Sequence, residues 1–463
     1  MKYLARFRDE EPTKSCFRFL SLGGYAGAHT MKRRQFLLSS TAMIAGFAAP
    51  RLDGGTSPAP PPSTGAAIYF VPGYRSDIAI YKGEPAQTSS FLRRAFPKSF
   101  TQAGTLVTRI DERDGSVRRA LLPVIGHEIS LSPDGRQAFW NSMNGTSMIS
   151  FDPETLELDV FAKPQGEDRI GGGHALYSAD GKILFVAERK LYGQRRGKPE
   201  HYHGQITVRD ARTLRVLDRF SSQGIAPHDM DLTSDGKHLA VAHYGTLTLP
   251  SARGRALVAE PSLCVLELAS GKLAQKWSGP TGSHEIRHLA TCGQDRIAAI
   301  QIKQASPEEF RRFLEPEETI SEYDVWASPG EHYLPGPIGF YDRAKPEQPP
   351  ELSAAADGRW MRQGQSIIHD PAHDEVIATF TSSHVLMVFS ASDGRLKHII
   401  HTGELGLRYP RGVVLHPDGI HYAVSGSWMG IHLFRRGTHE PVVSRAIHGV
   451  FFNHSHLSVA GHA

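Results

Sequence analysis

The sequence predicts an all-β fold, a seven-bladed β-propeller closed by pairing of N- and C-terminal segments, and three observations carry that expectation. Seven apolar runs each end in a tight polar turn, at residues 111–115, 152–155, 210–213, 267–271, 342–345, 390–394 and 435–438. Upstream of several of them stands a second turn signal, Ser132-Pro-Asp-Gly135, Ser178-Ala-Asp-Gly181, Thr233-Ser-Asp-Gly236 and His416-Pro-Asp-Gly419. At the head of most units stands a histidine or an arginine. Short strands repeated at this spacing with fixed turn chemistry mark a propeller. The Asp-Gly pairs supply the positive φ a hairpin needs, so their carboxylates read as mechanical rather than catalytic.

Along the chain, residues 1–30 precede Met31 and read as a start-site extension. Residues 31–49 contain Arg33 and Arg34, then Phe36 and Leu37, then a short stretch of small and apolar residues. That order resembles a twin-arginine export signal, too short to span a bilayer. Residues 50–65 are rich in Pro and Ser and read as an extended tether. Residues 66–463 form the propeller, with export to the periplasm as a soluble monomer expected.

The formal charge of +4 resides in the leader. Residues 1–49 hold eight Lys/Arg against three Asp/Glu, leaving 44 against 45 in the remainder. No basic footprint for nucleic acid survives that subtraction. Of the three cysteines, Cys264 and Cys292 lie in strand-like runs and read as buried thiols, with a bridge as the alternative.

Closure requires one blade to combine strands from both ends, which removes an open sheet edge. Residues 448–452 are the expected inner strand of that blade, completed by residues 67–71, 106–110 and 117–122. Insertions at 82–103, 189–204 and 304–336 should thicken the faces of the disc. Ser306-Pro-Glu-Glu309 reads as the capped start of a short helix.

Inner strands of a propeller run in one direction around a shared axis, so their first residues form a ring at one mouth. The residues in that register are His127, His174, His228, His288, Arg411 and His448. His174 is out of step by one residue, which would turn it away unless a bulge or a longer turn absorbs the slip. Converging imidazoles suit a first-row transition metal, iron or copper among them, or a haem. Glu128, Asp229 and Glu285 are candidate acceptors for the far ring nitrogens, and Arg287 and Arg411 candidate partners for an anionic group. A Gly-His pair at a blade entrance equally serves as a structural hydrogen-bonding device, and that reading stands beside the metal one. His201, His203, His454, His456 and His462 read as solvated.

Four ordered phrases, Gly173-His-Ala-Leu-Tyr-Ser-Ala-Asp-Gly181, Gly224-Ile-Ala-Pro-His-Asp-Met-Asp-Leu232, Glu260-Pro-Ser-Leu263 and Ile286-Arg-His-Leu-Ala290, resemble a bacterial family of exported propellers, the domain of unknown function numbered fifteen-thirteen. The resemblance covers about residues 168–303 and marks His228, Arg287 and His288. The chain has His243-Tyr-Gly245 where that family tends to have Asn-Gly-Gly. The resemblance implies twin-arginine export, a seven-bladed ring, and company with imelysin-like periplasmic proteins and iron uptake.

The function expected is therefore a periplasmic propeller that binds a ligand or metal at its axial mouth, as an accessory of iron or haem acquisition. Two alternatives remain: a metal-dependent propeller enzyme, either lactonase-type hydrolase or oxidoreductase, and a protein-interaction scaffold. No catalytic residue is assigned, since neither a nucleophile elbow nor a His-Glu-x-x-His helix occurs. The absence of Cys-x-x-Cys-His argues against covalently attached haem.

Overall fold

The computed structural model describes residues 65–75, 78–81, 84–87, 105–143, 145–191, 199–247, 257–258, 260–279, 284–293, 295–305, 332–353, 358–426, 430–448 and 456–461. The expected leader and nearly all of the tether, the helix start at Ser306, His454 and His462 lie outside the described residues. Among those described, the regular structure is almost entirely strand, arranged as seven antiparallel sheets of four or five strands and two two-stranded pairs, Ile78–Tyr81 with Glu84–Gln87 and Thr246–Leu247 with Leu257–Val258. Blade I comprises Gly126–Leu131, Ala138–Ser142, Met148–Phe151 and Leu158–Ala162. Blade II comprises Arg169–Tyr177, Ile183–Lys190, His203–Asp210 and Val216–Ile225. Blade III has Pro227–Leu232, His238–His243, Ser262–Glu267 and Leu273–Ser278. Blade IV has His284–Cys292, Arg296–Ala305, Ile338–Asp342 and Glu351–Leu352, with His332–Leu334 added to its second strand. Blade V runs Gly364–Asp370, Glu375–Phe380, Val385–Ser390 and Leu396–His401. Blade VI runs Pro410–Leu415, His421–Gly426, Gly430–Arg435 and Ile447–His448. Blade VII joins Ser458–Gly461 to Ala67–Arg75, Thr105–Asp111 and Val117–Leu122.

Every one of the seven polar turns read from the sequence connects the third strand of a blade to the fourth. In six of them the residue four beyond the first is left-handed: Gly115, Leu156, Leu214, Gly271, Gly394 and His439. Its N–H returns to the first residue's carbonyl, as Leu156 does to Asp152 at 2.8 Å. The Asp side chain then secures the turn, Asp152 Oδ1 accepting from Glu154 N at 2.7 Å and Thr155 N at 2.9 Å. The Asp-Gly signals join first to second strands. There the positive φ falls on Gly135, Gly181, Gly236 and Gly419, closing an i to i+3 turn rather than the expected two-residue loop.

Alternation along the strands places apolar side chains between neighbouring blades. Ile300, Phe340, Ala378, Phe380, Met387 and Phe389 form one such layer between blades IV and V, and burying each large side chain contributes roughly 1.5–3 kcal/mol. Cys264 and Cys292 are buried free thiols, and burial pushes both up to about 12.

Polar pins tie adjacent blades. Thr291 N donates to Asp231 Oδ2 at 3.0 Å between III and IV, and Val413 N to Ser366 Oγ at 3.2 Å between V and VI. At the boundary between VI and VII, Glu112 accepts from Ala67 N at 3.1 Å and Arg445 Nε at 3.0 Å, and His416 Nε2 lies 2.9 Å away.

The C-terminal strand corrects one expectation. Ser458–Gly461, not residues 448–452, pairs with the first N-terminal strand, with Ala67 opposite Gly461 and Phe70 opposite Ser458. His448 instead ends the outer strand of blade VI, exposed, with Gly430 opposite it and its ring 5.8 Å from that of His432. The reason is steric: a Cβ on Gly430 would lie 1.7 Å from Ile447 O, so the short outer strand packs there only because position 430 is glycine. Residues 449–455 are outside those described.

The side chain of Asp370, at the end of blade V's inner strand, is buried. It accepts from Arg436 Nε at 2.8 Å and from Arg436 Nη2, and His373 Nδ1 lies 2.9 Å away. Burial is the largest influence and pushes its pKa up, but these donors outweigh it and hold Asp370 at about 2. A carboxyl depressed in the folded state stabilises above its ordinary value of about 4 and loses that contribution as pH falls. Asp370→Asn is expected to cost about 1–3 kcal/mol at neutral pH in urea unfolding, with the difference from the parent closing between about pH 4 and about pH 2.

Candidate metal centre

Seven buried polar side chains head the seven inner strands: His127, His174, His228, His288, Gln365, Arg411 and His456. Local bulges aim all but His456, which lies just ahead of its strand. From Gly126 to Ile129 the inner strand of blade I advances three residues while its partner advances two, from Ser142 to Trp140. Blades III, IV and VI repeat that three-against-two step at Pro227–Met230, Ile286–Leu289 and Pro410–Val413. Blade II advances four residues, Gly171 to Ala175, against two, Glu188 to Val186. That extra residue absorbs the one-residue slip of His174, and Gly173 bears the distortion with φ +101°. A Cβ there would lie 3.2 Å from both the His127 and His228 rings. The Gly before His127 has its own cause, since a Cβ on Gly126 would lie 1.9 Å from the Trp140 indole.

The structure brings four of the expected histidines together and adds a fifth. Ring nitrogens of His127, His174, His228 and His288 all lie within 4.8 Å of one another. His456 replaces His448 as the contribution of blade VII: its ring centroid is 4.5 Å from those of both His127 and His288. Its backbone N–H donates to His127 O at 3.3 Å. The signal for His456 was its place just ahead of an alternating C-terminal segment. No hairpin Asp follows it, because the next strand of its blade comes from the other end of the chain.

Hydrogen bonds order the rings. His228 Nδ1 is 2.7 Å from Gly172 O, which assigns its proton to that nitrogen. His174 Nδ1 contacts Glu128 Oε2 and lies 3.2 Å from Asp229 Oδ1, while His288 Nδ1 is 3.5 Å from Asp229 Oδ2. Asp229 is itself held by Met230 N at 2.8 Å and Leu289 N at 3.1 Å. With both Nδ1 atoms donating, His174 Nε2 and His228 Nε2 face each other across 3.2 Å, a distance that a proton on His174 or a cation between them accommodates. A second pair, His127 Nε2 and His456 Nε2, stands 3.0 Å apart.

Charge follows from this packing. Burial, then the neighbouring imidazoles and Arg189, hold His228 well below the usual histidine range. His288 is lowered by burial, His174 and Arg287, and His456 by burial and then chiefly by His288. Burial also pulls His174 down, but Asp229 and Glu128 outweigh it and its net direction is up. Burial raises Asp229. One position in the cluster is thus built to carry positive charge, facing rings that resist it.

The remaining expectations are placed as follows. Glu285 serves Arg287, with its Oε2 2.8 Å from Arg287 Nε, and accepts from Thr246, so it orients no imidazole. Arg287 lies 4.9 Å and Arg189 4.3 Å from the Tyr244 ring centroid, and that ring is 4.5 Å from His228. Arg411 Nη1 is 3.5 Å from Gln365 Oε1. Arg189 and Tyr244 had no motif to announce them.

Residues 120–332 match the family model described as protein of unknown function, DUF1513. The DUF1513 match begins in the last strand of blade VII and runs through blade I into blade IV, including His127, His174, His228 and His288, while Gln365, Arg411 and His456 lie beyond it. No curated protein matches the chain. Among solved structures, hydrazine synthase of Kuenenia stuttgartiensis is similar at 14% identity and TM-score 0.51, covering 72% of this chain and 90% of that one. A putative 6-phosphogluconolactonase from Bacteroides fragilis is similar at 14% identity and TM-score 0.49, covering 86% and 98%. Likeness at this level concerns the fold alone. No helix among the described residues is long and apolar enough to cross a membrane.

Nitrogen-15 NMR of the ion-free protein at neutral pH should show His228 protonated at Nδ1, with Nε2 bare. An Nε2–H on neutral His228 would contradict the hydrogen-bond assignment above.

Proposed function

We propose that the protein is a periplasmic metal-binding propeller whose axial imidazoles hold one bare first-row transition ion, in the service of iron acquisition. The observation that carries this reading is the approach of His174 Nε2 and His228 Nε2 to 3.2 Å, each ring fixed from its Nδ1 side. Two lone pairs at that distance repel unless a proton or a metal lies between them. A tetrahedral ion with bonds of about 2.0–2.1 Å sets its nitrogens about 3.3 Å apart, close to the 3.2 Å and 3.0 Å found here.

The residues fit an ion and do not fit haem. Five imidazoles with centroids as close as 4.3 Å and 4.5 Å fill the space a macrocycle needs between its axial ligands. Neutral nitrogen ligands suit Fe, Cu, Ni and Zn and disfavour Mg or Ca. Glu128 and Asp229, held on the far side of His174, compensate the charge of a divalent ion and raise the basicity of that ring. Side-chain exposure of 35% at Glu128 against 4% at His174 makes the Glu128 side the approach from solvent. Export through the twin-arginine route, which carries folded cargo, accords with loading before transport.

Elemental analysis of protein purified from its native compartment tests the proposal. The parent should carry close to one ion per chain, and a His228→Ala, His288→Ala double variant should carry almost none. His456→Ala should weaken binding while His448→Ala leaves it unchanged, the two differing only in which one reaches the axis. Asp229→Asn should lower affinity by roughly 10–100-fold, as removal of an outer acceptor does. Equal metal content in the parent and the double variant would reject the reading, leaving a shared proton between His174 and His228.

A further inference from the structure

The described ends of the basic, His- and Tyr-rich segment at residues 189–204 help to wall a cavity of about 320 Å³ in blade II. The walls come from all four strands of the blade and a short turn: Arg169 on the inner strand, Lys190 on the second, Gln205 on the third, Arg219 on the fourth, and His201 with one acidic side chain, Glu200, in the 3₁₀ turn Pro199–Tyr202. Arg169 and Lys190 are direct cross-strand partners. Like charges placed opposite one another weaken a sheet. Asp168 offsets that only in part, at 3.7 Å from Arg169 Nε and 3.6 Å from Lys190 Nζ with its own side chain 57% exposed.

We infer that this cavity binds a compact, multiply charged oxyanion of the phosphate class. The cationic groups converge from different strands, as a tetrahedral dianion accepting from several sides requires. Arg169 is fixed from behind, Nη1 donating to His203 O at 3.1 Å. Gln205 is likewise held, its Nε2 2.9 Å from Gln165 O and 2.7 Å from Glu188 Oε2. Arg219 is exposed and makes no ion pair among the described residues, so it is the cation available to close over a ligand. Burial lowers the pKa of Arg169, with Asp168 and Glu188 pulling the other way and Arg219 adding a smaller lowering. Phe220 lines the wall beside Arg219, and the volume lies at the lower end of the range for small-molecule sites, so the cavity has room for a small organic group beyond the phosphate itself. A phosphate monoester fits that shape better than free phosphate.

Calorimetric titration of the full chain with inorganic phosphate, with glycerol 3-phosphate and with glycerol tests this. Saturable binding of either anion and none of glycerol is expected. Tighter binding of the ester identifies the monoester, and the reverse order identifies free phosphate. Arg219→Gln, on an exposed outer strand, should weaken binding roughly ten- to a hundred-fold, the loss of one charge-assisted hydrogen bond. Arg169→Gln should do the same, with circular dichroism confirming its fold because its bond to His203 O is also lost. Metal content of Arg219→Gln should equal that of the parent, so failure here and failure at the axis are told apart. Absence of saturable binding at millimolar anion, or affinity indifferent to Arg219→Gln, would overturn the inference.

Discussion

The architecture depends on one constraint: inner strands that converge on a common axis bring the residues at their heads too close together for any of them to keep its own water. Buried polar groups must then satisfy one another. Here they do so with five imidazoles, an amide and a guanidinium, all but His456 aimed by a bulge where strand and neighbour fall out of step. Regular pairing would have turned alternate side chains into the blades. The bulge is therefore what converts a stack of apolar sheets into a polar centre, and Gly173 is where the distortion is greatest.

The same closeness sets the electrostatics. Imidazoles packed in this way resist taking up protons, and only His174, with two carboxylates behind it, goes the other way. A centre of mostly neutral nitrogen donors with anionic groups behind one ring offers a cation both lone pairs and charge balance. The guanidiniums of Arg189 and Arg287 both stack on Tyr244, and Arg189 also reaches the rings, its Nη2 3.2 Å from His228 Nδ1.

Much of the fold was legible in the sequence, because turns are local chemistry. Asp and Gly at fixed positions report backbone angles wherever the chain goes, so the seven third-to-fourth turns and the Asp-Gly hairpins could be placed without knowing which strands pair. Four axial histidines were legible for a related reason, lying at a near-constant offset before such a turn. His456 was not, since its strand is the last of the chain and its neighbour lies at the other end, leaving no turn to count from. His448 was taken in its stead on the strength of the apolar residues after it. The role of Glu285 was also missed, because a carboxylate near several cations in sequence chooses among them only by geometry. Arg189 and Tyr244 reach the centre's outer layer from strand ends that no spacing rule connects.

The contact between His127 and His456 spans 329 residues. Entropy alone penalises so long a closure only logarithmically, but timing is another matter, since the ring cannot finish until Ser458–Gly461 has been synthesised. An ion held by both would fasten the seam between blades VII and I from the side of the axis.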